Sequence, residues 1–177
     1  DDFRFNQVIA EEFAAKGIGG AGLGLTLHND ITTPYFIPDR AILVALQTAA
    51  LRGVTVRLLL PSRSNHPLVW WAGRSFYEPL PESGVEIYEY GPGMVHAKTM
   101  VVDDSIGLVG SANMDLRSFR LNFEAFSVVH DRHFAEQLQQ CFGDDLEQSQ
   151  CVEREQVGAS TWARLRMGAA RLLIPLM

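Results

Sequence analysis

A strand–helix–strand pattern constrains the fold of this chain more than any other feature of its sequence. The β-branched run Ile31–Ile37 predicts a first strand, which ends among prolines. Asp39 is placed to cap a helix over residues 40–52, and Gly53 is placed to end it. The apolar run Val54–Pro61 predicts a buried second strand. Because two strands joined through a helix by short links are parallel, this pattern predicts an α/β fold.

The remainder of the sequence extends the pattern. Alternating or apolar runs predict further strands, and amphipathic runs predict further helices. The predicted strands are 85–90, 99–102, 106–109 and 122–129, and the predicted helices are 68–80, 132–149 and 162–177. We therefore expect a mixed β-sheet flanked by helices on both faces. Residues 3–16 predict a modest helix, and the glycine-rich residues 17–24 predict a flexible connector.

Composition limits the class of protein. The chain has 177 residues, of which 47% are hydrophobic and 20% are charged, so we expect one globular domain. Its net charge of -6 disfavours a nucleic-acid partner. No apolar run is long enough to predict a membrane span. Cys141 and Cys151 form no metal-ligand pattern and are expected to be reduced thiols, and the start at Asp1 suggests a fragment of something longer.

The candidate active centre is the pair His96 and Lys98. They are two residues apart, so on a strand both side chains would share one face. An imidazole can attack the phosphorus of a phosphate diester, and an ammonium group can hold the non-bridging oxygens as negative charge builds. The pair therefore predicts phosphoryl-transfer chemistry.

A second segment, which carries Ser111 and Asn113, should lie close to this pair. A turn after the strand over 99–102 leads into a strand running back, which would deliver Ser111 and Asn113 to the end that carries His96. Asp103 lies five residues after Lys98, so it should face the other way and stabilise the turn or neighbouring backbone.

Glu124 lies near the start of the strand predicted over 122–129, on one face with Phe126 and Val128. We expect this strand to be otherwise buried, so the carboxylate needs a partner. One interpretation is that it accepts the Nδ1 proton of the histidine, which would leave Nε2 free to attack. The other is a salt bridge with Arg117 or Arg120.

Three other features admit two interpretations. Arg63 and His66 follow a predicted buried strand and are either substrate contacts or part of a solvated loop. Four aromatic residues of the helix over 68–80 are expected in the core: Trp70, Trp71, Phe76 and Tyr77. The tail helix combines arginines with a strong apolar side, so it either docks on its own domain or lies on a membrane surface.

The pattern His96-x-Lys98-x4-Asp103, followed by Gly110-Ser111-x-Asn113 and Glu124, resembles the signature of the phospholipase D superfamily. The flanking residues are similar to the C-terminal half of bacterial cardiolipin synthases. They are Thr33-Pro34-Tyr35-Phe36-Ile37-Pro38, Arg52-Gly53-Val54, Met94-Val95, Met114-Asp115-x-Arg117-Ser118-Phe119, Leu121-Asn122-Phe123 and Pro175-Leu176. The resemblance marks residues 31–177 as a phospholipase D-like catalytic domain and leaves 1–30 as a poorly matching N-terminal segment.

The resemblance implies metal-independent phosphatidyl transfer without a cofactor, at the bacterial inner membrane. Two phosphatidylglycerols would give cardiolipin and glycerol through a phosphatidyl-histidine intermediate. It assigns catalytic roles to His96, Lys98, Asp103 and Glu124, with Asp103 the member that spacing turns away. It assigns phosphate binding to Lys98, Ser111 and Asn113.

The family pattern needs two His-x-Lys motifs, because the leaving alkoxide must be protonated by a second group. This sequence has one. The partner motif would come from a missing N-terminal half or from a second copy of the chain, and His96 would act either as nucleophile or as acid and base. The alternatives are a homodimeric phosphodiesterase or nuclease, and an inactive fragment.

Overall fold

The computed structural model describes residues 27–153, 157 and 160–174. The predictions made for residues 3–16 and 17–24 lie outside the described residues. The described strands are β1 (His28–Thr32), β2 (Phe36–Ile37), β3 (Thr55–Pro61), β4 (Glu86–Tyr90), β5 (Thr99–Val102), β6 (Ile106–Gly110), β7 (Met114–Asp115), β8 (Phe126–Val129) and β9 (Ser149–Cys151). The described helices are α1 (Arg40–Leu51), α2 (Pro67–Arg74), α3 (Pro79–Glu82), α4 (Leu116–Arg120), α5 (Arg132–Leu146) and α6 (Thr161–Leu172).

Seven strands form one mixed sheet in the order β8-β6-β5-β1-β3-β4-β9. The pairs β1–β3 and β3–β4 are parallel, and the other four neighbouring pairs are antiparallel. Helix α5 covers one face, where Phe142 packs on Arg57 of β3. Helix α1 covers the other face, so the predicted mixed sheet with helices on both faces is confirmed.

The strand–helix–strand prediction is confirmed by α1 and its neighbours. Asp39 caps the helix by accepting a hydrogen bond of 3.0 Å from the backbone N–H of Ile42. Gly53 ends it in the left-handed conformation, at a φ of 89°. Leu46 of this helix is buried in the same apolar cluster as Leu58 of β3. The first predicted strand is split, because β1 ends before Pro34 and β2 pairs instead with β7 in a separate two-stranded sheet.

Two predicted elements are shorter in the structure. The helix predicted over 68–80 is divided into α2 and α3, because Pro79 has no N–H to continue the helical hydrogen bonds and its ring would clash with the preceding turn. The strand predicted from residue 122 starts only at Phe126, so Glu124 lies in the loop before β8. Strand β8 is also an edge strand with two exposed residues, so the prediction of a buried strand there was wrong.

Helix α6 docks on its own domain against α2. Met167 and Ala170 are buried in this contact. The guanidinium of Arg166 lies 5.5 Å from the ring centroid of Trp71, and that of Arg171 lies 4.6 Å from that of Phe76. The docking interpretation of the tail is therefore confirmed for this face of the helix. Over the described part of the chain, every helix is too short or too polar to cross a bilayer.

The candidate site residues lie at one end of the strands of the sheet. Thr32, the last residue of β1, pairs with Thr99, the first residue of the antiparallel β5. The segment before β5 therefore lies beside the C-terminal ends of the parallel strands β1 and β3. In open α/β sheets this is the edge where ligands bind.

Candidate active site

His96 and Lys98 lie directly before β5 rather than within it, because the strand begins only at Thr99. Their side chains are nevertheless together. Lys98 Nζ lies 3.1 Å from His96 Nδ1 and donates a hydrogen bond of 2.9 Å to the His96 carbonyl. The backbone N–H of Gly110 donates to the Lys98 carbonyl at 3.1 Å, which extends the β5–β6 pairing by one residue. The predicted pair is therefore held at the end of the sheet.

The contact between the two side chains selects a tautomer for His96. A lysine ammonium group has only hydrogen-bond donors, so Nδ1 must accept and the ring proton of a neutral imidazole lies on Nε2. Burial lowers the pKa of Lys98, and the nearby charges of Glu124 and Asp115 offset this only in part. The ammonium is thus held close to a carboxylate that it does not touch.

Glu124 is surrounded by donors from three different residues. Ser111 Oγ donates to its Oε2 at 2.5 Å, while Ser118 Oγ and Asn122 Nδ2 donate to its Oε1 at 2.9 and 3.1 Å. Burial acts to raise the pKa of Glu124, but these hydrogen bonds and the charge of Lys98 together lower it. The carboxylate is therefore ionised and fixed.

This arrangement corrects the role predicted for Glu124. Its described hydrogen bonds do not include the imidazole of His96, whose Nδ1 faces Lys98 instead. The physical reason is that Glu124 lies in a loop, where hydrogen bonds from Ser111, Ser118 and Asn122 take up both carboxylate oxygens. The salt-bridge alternative with Arg120 is also wrong, since Arg120 contacts Asp39 at 3.4 Å.

Ser111 joins β6 to the Glu124 loop. Its backbone N–H donates to the Ala125 carbonyl at 2.9 Å, and its Oγ accepts from the Ala125 N–H at 3.0 Å. Gly110 allows this close approach, because a Cβ there would lie 2.4 Å from the Cβ of Phe126. The glycine of the Gly-Ser pattern is therefore required by packing between β6 and β8.

Asn113 is held by Ser118, to which the sequence analysis assigned no role. Its N–H donates to Ser118 Oγ at 3.0 Å, and that same hydroxyl donates to Glu124. Asp115 caps α4 by accepting from the Ser118 N–H at 2.7 Å. The Oδ1 atom of Asn113 is buried and has no hydrogen-bond partner among the described residues. The signal for Ser118 was its position three residues after a capping aspartate.

Asp103 follows the far end of β5, five residues after Lys98, which is about 17 Å along the strand at the usual rise per residue. Its N–H donates to the His28 carbonyl at 2.8 Å, and its Oδ1 accepts from the His28 N–H at 3.3 Å. Its φ of 47° is in the left-handed region, which aspartate tolerates in turns. The structure does not bring Asp103 to His96, and its contacts with neighbouring backbone agree with what the spacing predicts.

A cleft of about 540 Å³ adjoins the site, and its lining includes Tyr35, His66, Asn113 and Ile174. The Tyr35 ring centroid lies 6.4 Å from that of His96 and 6.2 Å from that of His66. Tyr35 thus lies between the cleft and the His96–Lys98 pair, which the sequence did not predict. Of the two loop residues considered as substrate contacts, His66 lines the cleft and Arg63 is exposed.

The model of the family described as "Cardiolipin synthase, PLD-like domain" matches residues 27–146. The chain belongs to this family. The chain is 41% identical over 148 residues to a cardiolipin synthase of Staphylococcus aureus and 44% identical over 148 residues to cardiolipin synthase A of Pseudomonas putida. Each alignment covers 83% of the chain but only 30% and 31% of the relative. The chain thus matches about a third of the length of these relatives.

Solved structures share its fold. One is a phospholipase D family member, Nuc, from Salmonella typhimurium, with a TM-score of 0.66 and 19% identity over 83% of this chain and 90% of that chain. Another is the phosphatidylserine synthase of Haemophilus influenzae, with a TM-score of 0.67 and 17% identity over 98% of this chain and 45% of that chain. At these identities the similarity establishes only the fold of the chain.

Proposed function

We propose that this chain supplies one half of a phosphatidyl-transfer site that makes cardiolipin and glycerol from two phosphatidylglycerols. The observation that carries the proposal is the placement of His96, Lys98 and the Ser111–Glu124 cluster at one edge of the sheet, in a domain of the cardiolipin synthase family. Imidazole, ammonium, amide and hydroxyl groups at one place can bind and cleave a phosphate diester without a metal.

The reaction proceeds in two balanced steps. An imidazole nitrogen bonds to the phosphorus of the first lipid as the bond to the glycerol oxygen breaks, and a second histidine gives that oxygen its proton. The second histidine then accepts the proton of the hydroxyl of the second lipid. That oxygen bonds to phosphorus and displaces the imidazole. His96 supplies one of these two imidazoles.

Lys98 and Asn113 serve the phosphate in this proposal. The ammonium group moves from His96 Nδ1 to a non-bridging oxygen, where its charge is needed most as negative charge builds. The same movement frees Nδ1, so that the ring proton can shift there and expose the Nε2 lone pair. Asn113 lines the cleft beside this site, and Ser111 keeps the loop of Glu124 in place.

The second imidazole comes from another His-x-Lys motif. This sequence contains one such motif, and the curated relatives are about three times longer than the segment that matches. A second motif is therefore supplied by a further part of a longer protein or by a second copy of this chain. The lipid substrates place the complete enzyme at the bacterial inner membrane.

The test replaces the homologous segment of the Pseudomonas putida relative with residues 27–177 and measures cardiolipin by thin-layer chromatography with phosphatidylglycerol as substrate. We expect activity with the wild-type segment and a loss of about a thousandfold with His96→Ala, the scale of removing a nucleophile or an acid–base group. His133→Ala, an exposed histidine on α5, is the matched control and should keep activity.

Two results would overturn the proposal. One is a chimera that folds, by circular dichroism, and keeps full activity with His96→Ala. The other is an assay of the 177-residue chain that nicks plasmid DNA but forms no cardiolipin at any protein concentration, which would identify a homodimeric nuclease.

A further inference from the structure

The outer face of α6 is apolar. Trp162, Leu165 and Leu172 are 74%, 58% and 82% exposed. At about 100° per residue these three positions fall within an arc of about 80° on the helix. Met167 and Ala170, on a different face, are buried against the domain. The helix therefore has one apolar face for its own domain and a second apolar face directed outward.

The charge of α6 is opposite to that of the whole chain. Residues 161–172 carry three arginines and no acidic residue, whereas the chain has a net charge of -6. The aromatic contacts of Arg166 and Arg171 hold two of these guanidinium groups beside the helix. A helix with an outward apolar stripe, a tryptophan and only basic charges complements an anionic lipid surface.

The outward stripe also leads to the cleft. Leu173 follows the stripe and is 41% exposed, and the next residue, Ile174, lines the cleft. Leu68 of α2 lines the same cleft and is 42% exposed. An apolar surface therefore continues from the outside of α6 to the cleft that adjoins Asn113.

We propose that α6 is the element by which this domain lies on an anionic phospholipid bilayer. Trp162, Leu165 and Leu172 enter the interfacial region, and the positive charge of the helix attracts the anionic headgroups. The mouth of the cleft at Ile174 is then at the bilayer surface, where a lipid headgroup can enter it. The reason for this contact rests on the proposed lipid substrate, but the contact itself is measured without any reaction.

The test is co-sedimentation of the 177-residue chain with vesicles of phosphatidylglycerol or of phosphatidylcholine. We expect binding to the anionic vesicles that weakens with added salt, and a fall of about tenfold or more in partition for Leu165→Ser/Leu172→Ser. The matched control is Val44→Ser/Leu51→Ser on α1, which removes two side chains that are 50% and 73% exposed. This control should bind like the wild type.

Equal binding by both double variants, or equal binding to both kinds of vesicle, would overturn the assignment. So would a change in oligomeric mass of Leu165→Ser/Leu172→Ser without vesicles, which would identify the stripe as a protein interface. In the chimera, this variant should lose activity on bilayer phosphatidylglycerol but keep it on a monomeric short-chain substrate. Loss on both substrates would point instead to a failure of the proposed site.

Discussion

Lys98 Nζ lies 3.1 Å from His96 Nδ1, so the two side chains of the His-x-Lys pattern are in hydrogen-bond contact with each other. In this contact the imidazole lone pair that faces Lys98 is on Nδ1, and the proton is on Nε2. Attack through Nε2 requires the opposite tautomer. In the proposed reaction, the movement of Lys98 to the phosphate would break this contact and free Nδ1 to take the ring proton.

The tautomer of His96 can be measured directly. We expect the ¹⁵N chemical shift of Nδ1 at neutral pH to be that of an unprotonated ring nitrogen in the wild type. Lys98→Met removes the donor and should allow both tautomers, while Lys98→Arg keeps a donor and should preserve the preference. The ring of His66, which does not contact Lys98, serves as the internal reference. A protonated Nδ1 in the wild type would contradict this account of the contact.

Glu124→Gln should change how stability depends on pH. The folded-state pKa of Glu124 is lowered, so its ionised form contributes stability above the unfolded pKa of about 4.3. That contribution is lost as pH falls from there through the lower folded pKa. Urea unfolding at several pH values should therefore show Glu124→Gln less stable than the wild type at pH 7, with the difference shrinking in acid.

The control for this measurement is Glu136→Gln, an exposed glutamate on α5. It should show a small difference at every pH. A stability difference for Glu124→Gln that stays constant down to pH 3 would mean that the lowered pKa does not couple to folding.

Gly110→Ala should destabilise the domain and move Ser111. The added methyl would lie 2.4 Å from Phe126 Cβ and 2.7 Å from the Ala125 carbonyl, so β6 and β8 must separate. Such overpacking costs about 1–3 kcal/mol. Gly143→Ala is the matched control, because a methyl there meets nothing within 4 Å and α5 gains a better helix former. Thermal unfolding should lower Tm for the first variant and keep or raise it for the second.

Asp30→Ala tests a buried ion pair that the sequence did not predict. The Asp30 side chain is fully buried, and it accepts from Arg57 Nε at 2.6 Å and Nη2 at 2.7 Å. Removing Asp30 takes away the bidentate partner of Arg57, whose side chain is 26% exposed, and we expect this to cost about 3 kcal/mol. The comparison is Arg120→Ala, because Arg120 pairs with Asp39 on the surface and should cost less than about 1 kcal/mol. Similar losses of unfolding free energy would refute the distinction.

Much of the fold could be predicted because local signals and burial agree. Asp39, Gly53 and the apolar β3 strand each have one consistent interpretation, and the structure confirms α1 between two parallel strands. The failures occur where burial was inferred from composition alone. The run from residue 122 is apolar enough for a core strand, yet β8 is at the edge of the sheet and begins four residues later.

The membership of the site could be predicted better than its contacts. Strand spacing brought Ser111 to the correct edge, because the return of β6 is fixed by pairing with β5. Which donor reaches Glu124 depends on loop geometry between α4 and β8, which no periodicity encodes. Tyr35 and Ser118 were missed as site residues for the same reason, since each reaches the site from a turn or a short helix.

The position of Asp103 gives the His-x-Lys-x4-Asp spacing a mechanical meaning. One end of the motif carries His96 and Lys98, and Asp103 at the other end is hydrogen-bonded to the backbone of His28 at the opposite end of the strands. The four residues of β5 between Lys98 and Asp103 therefore fix the distance between the two ends of the strands. One residue inserted into β5 would reverse the facing of every later side chain, so the reactive end and the anchored end could not both stay in register.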